Sequence, residues 1–89
     1  LAWTIEFSQQ ATRQLERLDK PVARRIWRFL MDRLATADDP RGLGKPLHGV
    51  EWQGYGRFRV GDYRLVAEIR DGKLTIVVVE IGHRSDIYR

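Results

Sequence analysis

Residues 54–89 read GYGRFRVGDYRLVAEIRDGKLTIVVVEIGHRSDIYR. Gly61-Asp62, between Val60 and Tyr63, matches a two-residue type II′ hairpin turn, and Asp71-Gly72, between Arg70 and Lys73, matches type I′. Turns of this kind set the register of the strands they join. Across the first, Val60 is expected to face Tyr63, Arg59 to face Arg64, Phe58 to face Leu65 and Arg57 to face Val66. Across the second, Ile69 is expected opposite Leu74, Ala67 opposite Ile76, Leu65 opposite Val78 and Arg64 opposite Val79. One sheet face then carries Phe58, Val60, Tyr63, Leu65, Ala67, Ile69, Leu74, Ile76 and Val78, which is a core. The other carries Arg57, Arg59 and Arg64, with Val66, Val77, Val79 and Ile81 beside them.

Arginines on one face, two of them directly opposite, suggest a site. Like charges in that position destabilise a sheet, and an anion relieves the repulsion. Nearby carboxylates would relieve it too; Asp62 and Glu80 are candidates, but Glu80 is expected on the opposite face. After Ile81, Gly82 permits a sharp turn. His83, Arg84 and Tyr88 can then return over the arginines, and His48 can join from the side. Metal-independent RNA cleavage needs such a set. A base takes the proton from a ribose 2′-OH, cations stabilise charge on the phosphoryl oxygens, and an acid protonates the leaving 5′-oxygen. Arg57, Arg64 and Arg84 are the cations. Tyr88, His83 and His48 are all candidates for proton transfer, since positive neighbours favour an ionised phenol and imidazole titrates near neutrality.

The N-terminal half supplies the cover for the core face. Ala2 to Phe7 alternates, with Trp3, Ile5 and Phe7 on one side, as in a half-buried strand. Ser8 reads as a helix N-cap before Ala11, Leu15 and Leu18. Asp19 and Pro21 restart the chain into a second helix over Lys20 to Ala37, whose wide apolar arc (Val22, Ile26, Phe29, Leu30, with Trp27, Met31 and Leu34) suits packing on both the sheet and the first helix. Asp38 to Gly49, rich in Pro and Gly, reads as a basic loop. The expected fold is α+β, one domain over residues 1–89, order β-α-α-β-β-β, with two helices on one face of a twisted, mainly antiparallel sheet.

Thirteen of the sixteen basic residues are Arg and the net charge is +4; guanidinium suits bidentate phosphate contact. There are no cysteines, so a reducing cytosol is the expected home and thiolate metal sites are excluded. No apolar run approaches a membrane span, and the first residues do not read as a secretory signal. No metal-ligand spacing or phosphate-cradling glycine loop appears; no cofactor is expected.

The motifs Arg57-Phe58-Arg59-Val60-Gly61-Asp62-Tyr63-Arg64-Leu65-Val66 and Gly82-His83-Arg84-Ser85-Asp86-Ile87-Tyr88, with the looser Lys45-Pro46-Leu47-His48-Gly49, resemble the RelE/ParE toxin superfamily, its RelE branch above all. The resemblance spans nearly the whole chain. It implies a cytoplasmic, ribosome-dependent endoribonuclease of a toxin–antitoxin system that cuts mRNA in the A site of the small ribosomal subunit, inhibits translation, and is neutralised by a cognate RelB-like antitoxin. It matches Arg57, Arg64, Arg84 and Tyr88 to the family's phosphate-binding and catalytic positions, with Arg59, His83, His48 and Lys45 supporting RNA binding. Tyr55 stands where the best-known pattern has a second lysine. The alternative within the resemblance is a ParE-like toxin that binds a DNA topoisomerase (gyrase) without nuclease chemistry, and a third reading is an inactive domain that only binds an antitoxin-like peptide.

Overall fold

The computed structural model describes residues 2–87. The chain runs β1 (Thr4–Phe7), α1 (Gln9–Glu16), α2 (Lys20–Arg28), β2 (Lys45–Pro46), β3 (Tyr55–Val60), β4 (Tyr63–Arg70), β5 (Thr75–His83) and α3 (Arg84–Ile87). The strands form one sheet in the order β1-β5-β4-β3-β2. β1 pairs parallel to β5 and the other neighbours are antiparallel. The expected α+β architecture holds. Its order gains a short edge strand, β2, inside the segment read as loop, and a terminal turn of helix, α3. Pro46 cannot donate to a ladder, and an edge position tolerates that.

Ser8 caps α1 as its sequence predicts, accepting the Ala11 N–H at 3.0 Å. Pro21 opens α2, where a missing N–H costs nothing. Beyond Arg28 the helix does not continue as expected for an α-helix. It widens into a π-helical segment, Phe29–Leu34, closed by the Ala35 N–H on the Leu30 carbonyl at 2.8 Å. The wider turn buries Phe29, Leu30 and Leu34 together. Trp27 leaves the core; it is half exposed and stacks on Phe7 at 6.2 Å. Ile26, Leu30 and Leu34 pack on Phe58, Leu65, Ala67, Ile76, Val78 and Ile81 of the sheet.

The first hairpin has the register read from its turn. Val60 pairs with Tyr63, Arg59 with Arg64, Phe58 with Leu65 and Arg57 with Val66. Gly61 has φ 61° and Asp62 no positive φ, which is the type II′ pattern.

The second hairpin departs from expectation. Ile69 pairs with Ile76 rather than Leu74, and Ala67 with Val78 rather than Ile76. The loop is a 3₁₀ turn, Asp71–Lys73, followed by Leu74 at φ 47° in the left-handed region. Leu74 is therefore exposed, not part of the core. A β-bulge adds a second shift: Val66 pairs with Glu80 and Ala67 with Val78, so Val79 is the extra residue. Leu65 then faces Ile81 instead of Val78, and Arg64 faces Gly82 instead of Val79. The bulge exchanges two residues between faces. Ile81 enters the core at 2% exposure, and Glu80 moves to the arginine face.

Helix α1 holds the bulge in place. The Ser8 hydroxyl donates to the Val79 carbonyl at 3.0 Å, and the Gln14 side-chain oxygen accepts the Ile81 N–H at 2.6 Å. Backbone groups that the irregular ladder leaves unpaired thus find side-chain partners.

Candidate nucleic-acid interface

Residues at alternate positions of a strand, and those directly across from them, share a face. Arg57 and Arg59 are alternate on β3; Lys45 of β2 pairs with Arg57, and Arg64 of β4 pairs with Arg59. Four cations therefore sit on one face in two adjacent like-charged cross-strand pairs. Each such pair costs up to about 1 kcal/mol where nothing screens it. The Arg59–Arg64 pair is the one expected from the Gly61-Asp62 turn. The Lys45–Arg57 pair is made by β2, inside the segment expected to be loop.

Gly44 is what brings Lys45 so close. A Cβ built there would lie 2.4 Å from the Arg57 carbonyl oxygen and 2.6 Å from the Phe58 ring, so only glycine lets the incoming chain lie against β3. The four cations and the Gly42–Gly44 backbone line a groove of about 540 Å³ that is open to solvent. Arg41 pins the segment before it, donating to both oxygens of Asp71 at 3.0 and 2.5 Å, while the Asp39 carboxylate accepts the Arg41 N–H at 3.1 Å. The Arg41 hydrogen bond holds the Asp71 carboxyl below its usual range, and the same contact raises the guanidinium.

Carboxylates on this face are few. Glu80 is in line with Arg57 across Val66, contrary to the expectation that it would lie opposite. Glu68 pairs in register with Tyr55 but is engaged by Arg70 at 2.8 Å. Tyr55 itself sits on the arginine face two residues from Arg57, a phenol where the resemblance has a second lysine.

Arg84 opens α3 with its N–H on the Asp62 carbonyl at 2.9 Å. It belongs to the same end of the sheet as Arg59 and Arg64, beside the groove rather than in its wall. The histidines lie elsewhere. His83 pairs with Tyr63, meets its ring edge-on at 5.5 Å, and so lies on the helix side of the sheet, not on the arginine face. Its Nδ1 accepts the Ser85 N–H at 3.3 Å and lies 3.0 Å from the Ser85 hydroxyl. His48 follows Leu47, whose N–H bonds the Tyr55 carbonyl at 3.2 Å, and is exposed toward the Gly54 end, away from Arg59 and Arg64. Tyr88 lies outside the described residues. Val66 is buried on the arginine face, while Val77 and Val79 are half covered, so the apolar strip expected there is shorter by Ile81. Among the described residues no three His, Asp or Glu converge as a metal site, and no helix is long and apolar enough to cross a membrane.

Comparison with known proteins agrees with this fold. Residues 5–88 match the family model of the ParE toxin of type II toxin–antitoxin systems. Toxin RelG of Mycobacterium tuberculosis is 34% identical over 89 residues, covering 100% of this chain and 99% of its own. Toxin RelE of the same organism is 34% identical over 85 residues, covering 96% of this chain and 84% of its own. The toxin–antitoxin complex RelBE2 of M. tuberculosis contains a chain that superposes with a TM-score of 0.84 at 31% identity, over 97% of this chain and 95% of that one. With its matched length, its sheet order and its arginine-bearing meander, the chain belongs to the RelE/ParE superfamily of toxins of type II toxin–antitoxin systems.

Proposed function

We infer that this protein is an endoribonuclease toxin that cuts mRNA in the ribosomal A site and is silenced in the cytoplasm by a cognate RelB-like antitoxin. The observation that carries the reading is the pairing of Lys45 with Arg57 and of Arg59 with Arg64 on one open sheet face. A fold has no use for two adjacent like-charged pairs, whereas a scissile phosphate between them would bridge both. Arg57 and Arg64 then stabilise charge on the phosphoryl oxygens as the 2′-oxygen attacks phosphorus and the bond to the 5′-oxygen breaks. Arg84 approaches from the end of the groove. The base that takes the 2′-OH proton and the acid that protonates the 5′-oxygen must come from a group that reaches this face. His83 and His48 lie off the arginine face, whereas the Tyr55 phenol and the Glu80 carboxylate share it; the Tyr88 phenol is proposed as a proton carrier on the resemblance of its motif to the family's catalytic position. The antitoxin partner is supported by relatives solved as toxin–antitoxin complexes.

The test is primer extension on programmed ribosomes. The protein is expected to cut at the A-site codon, Arg84→Ala and Tyr88→Phe to lose cutting, and Tyr88→Phe to keep its affinity for RNA. A second reading is favoured by the family model, whose description is that of ParE: a toxin that binds gyrase without chemistry of its own. Inhibition of DNA supercoiling with no ribosomal cleavage would establish that reading instead.

A further inference from the structure

β2 pairs in the ladder with Gly56 and Arg57 of β3, so at the sheet edge Phe58 to Val60 pair with β4 alone. A second cleft, of about 290 Å³, opens on the other side of that edge. Its wall holds Arg25 and Arg28 of α2 and Arg33 of the π-helical segment, together with Arg59 and Gly61 of the first hairpin. Arg59 lines both this cleft and the basic groove. Arg25 lies against the turn, its guanidinium 2.8 Å from where a Gly61 Cβ would stand, and Arg33 lies over the Phe29 ring at 5.8 Å. Asp32 is the one carboxylate of the wall, and among the described residues none of these four arginines is in an ion pair with it or with any other acid. Three arginines beside a fourth outnumber the acids near them, Asp32 in the wall and Asp62 in the turn beside Arg25, and make a positive local potential over a concave surface.

We propose that this cleft is a second phosphate subsite, through which the RNA strand bound in the groove continues over the Gly61–Asp62 turn onto α2. The proposal rests on the reading of the groove as an RNA site and extends it to the partner's length and path. Guanidinium groups without acid partners suit phosphate oxygens, and the shared Arg59 makes the two concavities one track. A strand of several nucleotides would fill both, whereas a short one would reach the groove alone.

The experiment is fluorescence anisotropy of the full chain with labelled 2′-O-methyl RNA, which resists cleavage, in oligonucleotides of about twelve and about three residues. Arg28→Ala/Arg33→Ala is compared with Arg13→Ala/Arg17→Ala, which removes the same charge from exposed positions on and just after α1. The cleft variant is expected to weaken the long oligonucleotide about tenfold or more and to lower its salt slope by about 0.7 for each phosphate that is no longer neutralised. It should leave the short one unchanged. Arg28→Lys/Arg33→Lys should keep most of the affinity, which separates charge at the site from a folding defect. Equal losses in the α1 variant, or no loss in the cleft variant while Arg57→Ala/Arg64→Ala abolishes binding, would overturn the subsite and leave the groove standing. Absence of binding to either oligonucleotide by the unaltered protein would overturn both. A cleft variant that binds RNA normally but loses an acidic antitoxin peptide would assign the cleft to that peptide and overturn the proposal.

Discussion

Arg59 and Arg64 face each other across the first hairpin, Arg59 exposed and Arg64 half-buried with its guanidinium donating to the Tyr63 carbonyl at 3.3 Å, and like charges directly opposite repel. Replacing Arg59 with Thr removes the repulsion and puts a good strand former in its place. At low ionic strength Arg59→Thr is expected to raise stability by up to about 1 kcal/mol while weakening RNA binding. Sulfate should raise the melting temperature of the unaltered protein more than that of the variant. Thermal melts with and without sulfate check this, and a variant that melts lower in both conditions would sink it. The Arg41–Asp71 contact is the opposite kind of pair. Its hydrogen bond depresses the Asp71 pKa, so its stabilisation is present above the unfolded carboxyl value of about 3.9. It fades as pH falls through the lower folded value. Asp71→Asn should therefore melt below the unaltered protein near neutrality, and the gap should close on acidification below about pH 4. A gap of the same size at both ends of a pH series would show that the carboxylate charge is not what pins the Pro40–Leu43 segment.

The two hairpins differ in how much of each was legible in the residues. Gly61-Asp62 is a complete local instruction: glycine takes the positive φ, and two residues close the turn. Asp71-Gly72 carries the same chemistry but is overruled. Lys73 and Leu74 join the loop, and Leu74 accepts a left-handed backbone, a strain of about 1–2 kcal/mol. That lets Ile76 and Val78 meet Ile69 and Ala67 in the core. No local pattern announces the bulge at Val79 either, because its cause is tertiary: Ser8 and Gln14 of the α1 segment reach its backbone. The π-helical segment is likewise set by what it buries. So the arginine pair of the first hairpin could be read from sequence. The side of the sheet taken by Ile81, Glu80 and His83 could not, because it depends on the bulge. Gln14→Ala tests the bulge directly. It strands the Ile81 N–H, and a buried donor without a partner costs about 1–3 kcal/mol. The urea midpoint should fall and hydrogen exchange at Ile81 should quicken. Unchanged exchange there would mean that the bulge does not depend on the glutamine.

At the scale of the whole molecule, one sheet serves two purposes on its two faces. The helices cover one face and supply the core; the other carries the cations and lies partly open. A chain of 89 residues has a total stability of about 4–13 kcal/mol at the usual value per residue, and nearly all of it must come from the covered face. Leu30 is fully buried there, and its truncation to Ala is expected to remove about 2–5 kcal/mol, a large share of the whole. Arg57 and Arg64 belong to the other face, where substitutions away from the core usually change stability by about 0.5 kcal/mol or less. Fold and site should then separate by mutation. Arg57→Ala/Arg64→Ala, which relieves both like-charged pairs, should keep its urea midpoint or raise it, and lose RNA affinity with a shallower salt dependence. Leu30→Ala should shift the midpoint strongly and, while still folded, bind RNA as before. The pairing of midpoint and affinity in the two variants is the check. If the double arginine variant unfolds as readily as Leu30→Ala, the cations are part of the scaffold and the open face is not a site held apart from it.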